Sequence, residues 1–160
     1  MMMEEIIKKI DNDEHCQLLE KRSDLNLPDS YHIPEDMKLY YSYCGGANLF
    51  HNKDYQWNIL SPNDINNACE TVINEPCEAT ELEYFFCIAE DGNGDYLAIN
   101  LGKENNGVIV DAFHETFGLA GDTPVIALSF TELLNSLYDN SGDYPYWLGN
   151  KERIYRDWFV

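Results

Sequence analysis

The stretch that decides the fold runs from Tyr84 to Leu101 and reads YFFCIAEDGNGDYLAINL. Residues 84–90 form an apolar run, and residues 95–101 alternate between apolar side chains and others, as a half-buried β-strand does. The Asp-Gly-Asn-Gly sequence between the two segments is typical of a hairpin turn. A third apolar segment, 108–113, follows a second glycine-containing turn. The pattern therefore predicts a three-stranded antiparallel meander at the centre of the domain.

The rest of the 160-residue chain adds helices and further strands around this meander. Apolar spacing and helix-start residues predict helices over 4–22, from Pro34 to the Gly45–Gly46 stop, from Ser61, and from the Ser129–Glu132 capping box to about 138. Further strands are predicted over 47–50, 55–60 and 123–128. We expect one α+β domain over residues 1–160, with a central, mainly antiparallel, twisted sheet and flanking helices.

Charge is the most informative feature of the composition. Ten Lys and Arg stand against 29 Asp and Glu, a formal net charge of −19. Between Asp54 and Asn150 the only Lys or Arg is Lys103, whereas 17 acidic residues lie in the same stretch. Binding to nucleic acid or to an anionic membrane needs clustered cations, so neither is expected. The acidic surface either is simply solvated or faces a cationic partner.

The cysteines and the amino terminus indicate a cytoplasmic protein. Glu4 and Glu5 follow the first methionines at once, and no apolar run approaches the roughly 18 residues that span a bilayer. The five cysteines are odd in number, and the closest pair is eight residues apart. We expect reduced, mostly buried thiols, with neither a zinc site nor a disulfide framework.

The candidate catalytic and metal-binding motifs each lack residues or spacings that their chemistry requires. The segment Asp91–Asp95 resembles the start of a calcium loop, but Tyr96 and Gly102 occupy the positions that need Gly and Glu. The four histidines show no metal-ligand spacing, and neither glycine pair belongs to a phosphate-binding fingerprint. We therefore expect no catalytic residue, metal or cofactor. An enzyme using Asp91 and Asp95, or His114 and Glu115, stays as a distant alternative.

Two segments combine acidic residues with large aromatic side chains. Tyr55 and Trp57 follow Asp54, and Tyr144 and Trp147 follow Asp143. Aromatic anchors are enriched at protein interfaces, so these segments are candidate contact surfaces. The alternative is that the aromatic residues belong to the core.

The order of motifs resembles the SUKH superfamily, which includes the yeast Smi/Knr cell-wall-assembly regulator and many bacterial immunity proteins. The resemblance begins with Ile33-Pro34-Glu35-Asp36, Leu39, Tyr43 and Cys44-Gly45-Gly46, with Ile in place of Leu and Cys in place of Asn. It continues through the hairpin of residues 86–96, the strand Val108–His114 and the segment 127–134. Order and spacing agree over about residues 30–140.

The resemblance implies an α+β fold and, in bacteria, an immunity protein that binds and neutralises a cognate polymorphic toxin, often a nuclease or deaminase. The charge favours the same function independently, because an anionic protein can occupy a basic cleft. A regulatory scaffold like the yeast member is the alternative of a different class. The expected partner contacts combine the charged and aromatic residues of the family motifs and of the first acidic-aromatic segment: Asp54, Tyr55, Trp57, Glu90, Asp91, Asp95, Asp111, His114 and Glu115.

Overall fold

The computed structural model describes residues 2–77 and 80–159. Its helices are α1 (Met3–Asn12), α2 (Glu35–Tyr43), α3 (Phe130–Asn140) and α4 (Tyr146–Gly149). Its strands are β1 (Cys16–Leu18), β2 (Ala47–Leu49), β3 (Trp57–Ile59), β4 (Phe85–Glu90), β5 (Tyr96–Asn100), β6 (Ile109–Ala112), β7 (Pro124–Ala127) and β8 (Arg156–Asp157). The eight strands form one sheet in chain order, and every neighbouring pair is antiparallel. The predicted α+β class and antiparallel sheet are confirmed.

The predicted hairpin joins β4 to β5. The carboxylate of Asp91 accepts hydrogen bonds from the backbone N–H groups of Asn93, at 2.7 Å, and Asp95, at 3.2 Å. Gly92 and Gly94 both have positive φ angles, which only glycine adopts without strain. Local turn chemistry therefore fixes the end of this hairpin, as the sequence predicted.

The sheet is covered on both faces. One face packs against α1, α2 and α3 through a core that includes Ile6, Met37, Ile88, Ile99 and Leu134. The other face is covered by the segments around Cys69 and Phe117 and by Trp158 near the carboxyl end, which form a smaller core with Phe85, Cys87 and Val110. Because both faces of β4 are buried, its sequence is continuously apolar rather than alternating.

The helix predicted over 4–22 is wrong in its second half. Helix α1 ends at Asn12, and the chain then turns so that Cys16–Leu18 pairs with β2. The turn is stabilised by the Asp13 carboxylate, which accepts a hydrogen bond from the backbone N–H of His15 at 2.9 Å. The helix predicted from Ser61 is only a 3-10 turn over Pro62–Asp64, and no sequence pattern predicted the two-residue strand β8.

The expectation of reduced thiols without a disulfide is also wrong for one pair. Cys69 and Cys77 form a disulfide, with their Cα atoms 5.7 Å apart. A π-helix over Cys69–Ile73 and a left-handed residue, Asn74, reverse the chain and bring the two cysteines together. Cys16, Cys44 and Cys87 are free and buried, as expected.

Candidate functional site

The strand register brings the predicted contact residues to one end of the sheet. Across the strands, Asn58 of β3, Glu90 of β4, Tyr96 of β5 and Ala112 of β6 form one row. Every predicted contact lies within four residues of a member of this row. We call this region the acidic end of the sheet, and it comprises Asp54, Tyr55, Trp57, Glu90, Asp91, Asp95, Asp111, His114 and Glu115.

Further acidic residues, which the prediction did not include, lie at the same end. Asp13 and Glu14 precede β1, whose first residue pairs with the last residue of β2. Asp122 lies just before β7, and β7 pairs antiparallel with β6. The start of β7 therefore lies at the same end of the sheet as the last residues of β6. Residues so far apart in sequence meet here because successive antiparallel strands alternate in direction, so every second connection lies at the same end.

Exposure divides the predicted contacts into groups. Asp54, Tyr55, His114 and Glu115 are exposed, and the other acidic residues are partly buried. Trp57, in contrast, is only 7% exposed, and its ring lies 5.7 Å from that of Trp147 in the core. Trp57 is therefore not an exposed interface anchor, because strand alternation points it towards the helices together with Ile59. This corrects its place in the predicted contact set.

Asp95 positions the imidazole of His114. The Asp95 Oδ1 atom accepts a hydrogen bond from the His114 backbone N–H at 3.1 Å and lies 2.7 Å from the ring Nδ1. The hydrogen bond to Asp95 raises the pKa of His114, and the charge of Glu115, whose carboxylate lies 3.6 Å from Nε2, adds to the effect. The exposed imidazole therefore holds its proton to higher pH than an isolated histidine.

Asp111 is the most perturbed carboxyl group at this end. Its pKa is raised to about 6, mainly by burial and further by the charges of Asp95 and Asp91. A hydrogen bond from the Trp147 indole N–H, at 3.0 Å, acts in the opposite direction and lowers the pKa. A carboxyl group that titrates near neutrality is a feature of some active sites. A cavity at this end, however, is lined by residues 52–55 and 142–144 and not by Asp111. The arrangement gives this carboxyl group no place to meet a substrate in that cavity.

That cavity, of about 370 Å³, brings together two aromatic residues that are distant in sequence. The rings of Tyr55 and Tyr144 meet edge to face with their centroids 5.4 Å apart, and they are 41% and 53% exposed. Asp54 and Asp143 line the same cavity. We call this cavity, lined by residues 52–55 and 142–144, the aromatic groove. The predicted contact set omitted Asp143 and Tyr144, although their acidic-aromatic pattern was the signal that could have included them.

Two further features bear on the kind of site. Among the described residues, no group of three or more His, Cys, Asp and Glu side chains is placed to hold a metal ion. In the same part of the chain, none of the helices has the length and apolar character needed to cross a bilayer.

The chain belongs to the SMI1 / KNR4 family (SUKH-1), whose family model matches residues 12–136. This match confirms the resemblance carried by the sequence motifs. The chain is also 34% identical to a protein described as immunity protein YokJ of Bacillus subtilis (strain 168). That alignment spans 148 residues, which are 92% of this chain and 90% of the relative. No solved structure gives a significant match.

Proposed function

We propose that this protein is an immunity protein that binds a cognate toxin in the cytoplasm of the producing cell and blocks it stoichiometrically, without catalysis. Membership of the SUKH-1 family and the likeness to an immunity protein along nearly the whole of both chains support an immunity role and suggest a non-enzymatic one. The observation that carries the proposed mode of action is the strand register, which gathers the predicted acidic contacts at one end of the sheet.

The charge of the acidic end defines the partner that it fits. Carboxylates collected on one surface produce a negative potential that attracts a basic protein and accelerates association. Toxins that act on nucleic acid need basic clefts for phosphate groups. We propose that the acidic end covers such a cleft on a nuclease- or deaminase-type toxin, so that the carboxylates occupy the phosphate positions.

Co-expression with the product of the adjacent toxin gene tests the proposal. We expect this protein to restore growth of cells that express the toxin, and the two purified proteins to elute together from gel filtration at a 1:1 ratio. Absence of both rescue and complex would refute the immunity function. If the protein does not restore growth and instead forms a complex with a cellular protein, the regulatory-scaffold alternative would be favoured.

A charge-neutralising variant locates the interface. Asp54→Asn, Glu90→Gln and Glu115→Gln together remove three negative charges from the acidic end without touching the turn-forming Asp91. We expect the association rate constant for the toxin to fall at least tenfold, because electrostatic steering contributes about 10- to 1,000-fold to such rates.

The matched control removes three charges from the opposite end of the sheet. Glu20→Gln, Glu81→Gln and Glu104→Gln change exposed residues next to the other set of strand connections. This variant has the same net charge as the first, so a difference between the two reports position and not total charge. Equal association rates for the two variants would contradict the assignment of the acidic end as the interface.

A further inference from the structure

The aromatic groove is built by a close approach between two loops. Gly142 has a φ of +74°, and a Cβ atom at this position would lie 2.7 Å from the Cβ of Phe50 and 2.9 Å from that of Lys53. Only glycine lets the loop between α3 and α4 lie this close to the loop between β2 and β3. The approach sets Tyr144 against Tyr55. The residues that precede these two tyrosines in sequence, Asp143 and Asp54, supply the two carboxylates of the groove.

Hydrogen bonds hold the groove in shape. The side-chain amide of Asn140 donates to the backbone carbonyl groups of Asp143, at 2.9 Å, and Tyr144, at 3.3 Å. In the facing loop, the backbone N–H of Lys53 donates to the carbonyl of Phe50 at 2.9 Å. Since both walls are fixed by the fold, a side chain that enters the groove does not have to order them first, which lowers the entropic cost of binding.

The chemistry of the walls selects the occupant. Two exposed tyrosine rings offer aromatic faces, and Asp54 and Asp143 offer carboxylates on the same cavity. A planar guanidinium stacks on an aromatic face and donates hydrogen bonds in its own plane, so it satisfies rings and carboxylates together. An ammonium group is a more strongly hydrated point charge and has no planar face to stack on the rings.

The Lys53 side chain also lines the groove, and its charge acts on Asp13 outside it. The pKa of Asp13 is lowered by the backbone hydrogen bond from His15, then by the Tyr138 hydroxyl and, more weakly, by the charges of His15 and Lys53. The Lys53 ammonium is thus close enough to Asp13 to interact with it, while the alkyl chain of Lys53 lies against Gly142.

We propose that the aromatic groove receives an arginine side chain of the toxin and is the energetic centre of the interface. This inference rests on the proposed function, and it adds a defined contact and a chemical identity to a surface that was assigned by charge alone. Aromatic residues and arginine are the residue types most often found at such centres, surrounded by a polar rim that contributes less.

The groove is tested with alanine and phenylalanine variants. We expect Tyr55→Ala and Tyr144→Ala each to weaken binding of the toxin at least tenfold, mainly by faster dissociation, because lost contacts act on the dissociation rate. Tyr55→Phe and Tyr144→Phe keep the rings and should bind within about threefold of the original protein. Tyr43→Ala is the matched control, since Tyr43 is 55% exposed at the carboxyl end of α2, near the opposite end of the sheet.

A small probe tests the chemistry directly. Titration with N-acetylarginine amide, followed by NMR, should shift the ring signals of Tyr55 and Tyr144 saturably, whereas N-acetyllysine amide should shift them less at the same concentration. Equal responses to the two amides, or no response, would overturn the arginine assignment.

The two proposals fail in different ways. If the original protein binds the toxin and the Tyr55→Ala, Tyr144→Ala and Tyr43→Ala variants bind it equally well, the groove inference is overturned and the immunity function stands. If the original protein itself does not bind the toxin, both are overturned.

Discussion

At the scale of single residues, the chemistry of the acidic end depends on which carboxylates are shielded from water. Asp95 lies beside an imidazole, and Asp111 accepts a hydrogen bond from an indole N–H. Asp95 directly precedes β5, and Asp111 lies in β6, the neighbouring strand. Burial penalises the charged form of Asp111, whereas the proximity of Asp95 stabilises the charged form of His114. The titrations of Asp111 and His114 therefore report separately on this end of the sheet.

Asp111 should make stability depend on pH in a defined direction. Its pKa is raised from 3.8 to about 6 in the folded state, so its contribution is fully present below pH 4 and is lost as the pH rises through 6. Relative to Asp111→Asn, we expect the free energy of unfolding to fall by about 2–3 kcal/mol between pH 4 and 7, at about 1.4 kcal/mol per pKa unit. Urea unfolding of both proteins across this range measures the difference, and a constant difference would contradict the prediction.

The pKa of His114 should depend on Asp95. Asp95→Asn removes the carboxylate that lies 2.7 Å from the imidazole, so the pKa of His114 should fall towards its ordinary value of 6.5. NMR titration of the imidazole signals measures the change. Asp54→Asn is the control, because it removes a carboxylate from the same sheet end without a contact to His114. An equal fall in both variants would show that general charge, and not this hydrogen bond, is the cause.

At the scale of elements, the two loops of the aromatic groove depend on a single glycine. The α3–α4 loop leaves its helix through Ser141 and Gly142, two consecutive residues with positive φ, and then reaches Pro145 at the start of α4. The facing loop turns through Phe50, which also has a positive φ and whose ring packs against Tyr138. The loop geometry is thus tied to the core through Phe50 and to the groove through Gly142.

Gly142→Ala should destabilise the protein and open the groove. The substitution adds a Cβ atom at positive φ and places it within 3 Å of Phe50 and Lys53, so we expect a loss of about 2–4 kcal/mol in the free energy of unfolding. Gly121→Ala is the matched control, because Gly121 has a φ of +86° with no atom within 4 Å of the added Cβ. It should lose only about 1 kcal/mol, the cost of the backbone conformation. Equal losses in urea unfolding would show that steric contact contributes nothing.

At the scale of the whole molecule, the strand order decides which acidic residues lie together. The net charge of −19 comes from acidic residues spread along the chain. Antiparallel strand order places those from six separate parts of the chain, between Asp13 and Asp143, around one end of the sheet. We propose that this end of the sheet is the side that faces a basic partner.

Association with the toxin should therefore be sensitive to salt. Raising the ionic strength from about 0.05 M to 0.5 M shortens the screening length, and we expect the association rate constant to fall at least tenfold while the dissociation rate changes much less. Stopped-flow fluorescence measures both rates. The variant with Asp54→Asn, Glu90→Gln and Glu115→Gln should show a shallower dependence, and a flat response of the original protein would rule out electrostatic steering.

Local sequence patterns were sufficient for the centre of the fold. The β4–β5 hairpin follows from its turn residues, and the start of α3 follows from Ser129, whose hydroxyl accepts a hydrogen bond from the Glu132 backbone N–H at 3.1 Å. The Glu132 carboxylate in turn accepts from the N–H of Leu128, one residue before the expected partner. Such signals work because their physical causes act over a few residues.

The sequence by itself determined the family, the antiparallel meander and the excess of negative charge. Composition and motif order are read directly from the chain, and strand and turn patterns depend on neighbouring residues. Only the tertiary structure decided that Trp57 is core, that Cys16–Leu18 is a strand and that Cys69 meets Cys77. It also decided that Tyr55 lies against Tyr144, 89 positions further along the chain. The contacts of Trp57, Cys16–Leu18 and Tyr55 join segments that no local pattern connects, and the free energy of burial selects them. The two cysteines meet because the π-helix and Asn74 reverse the chain between them.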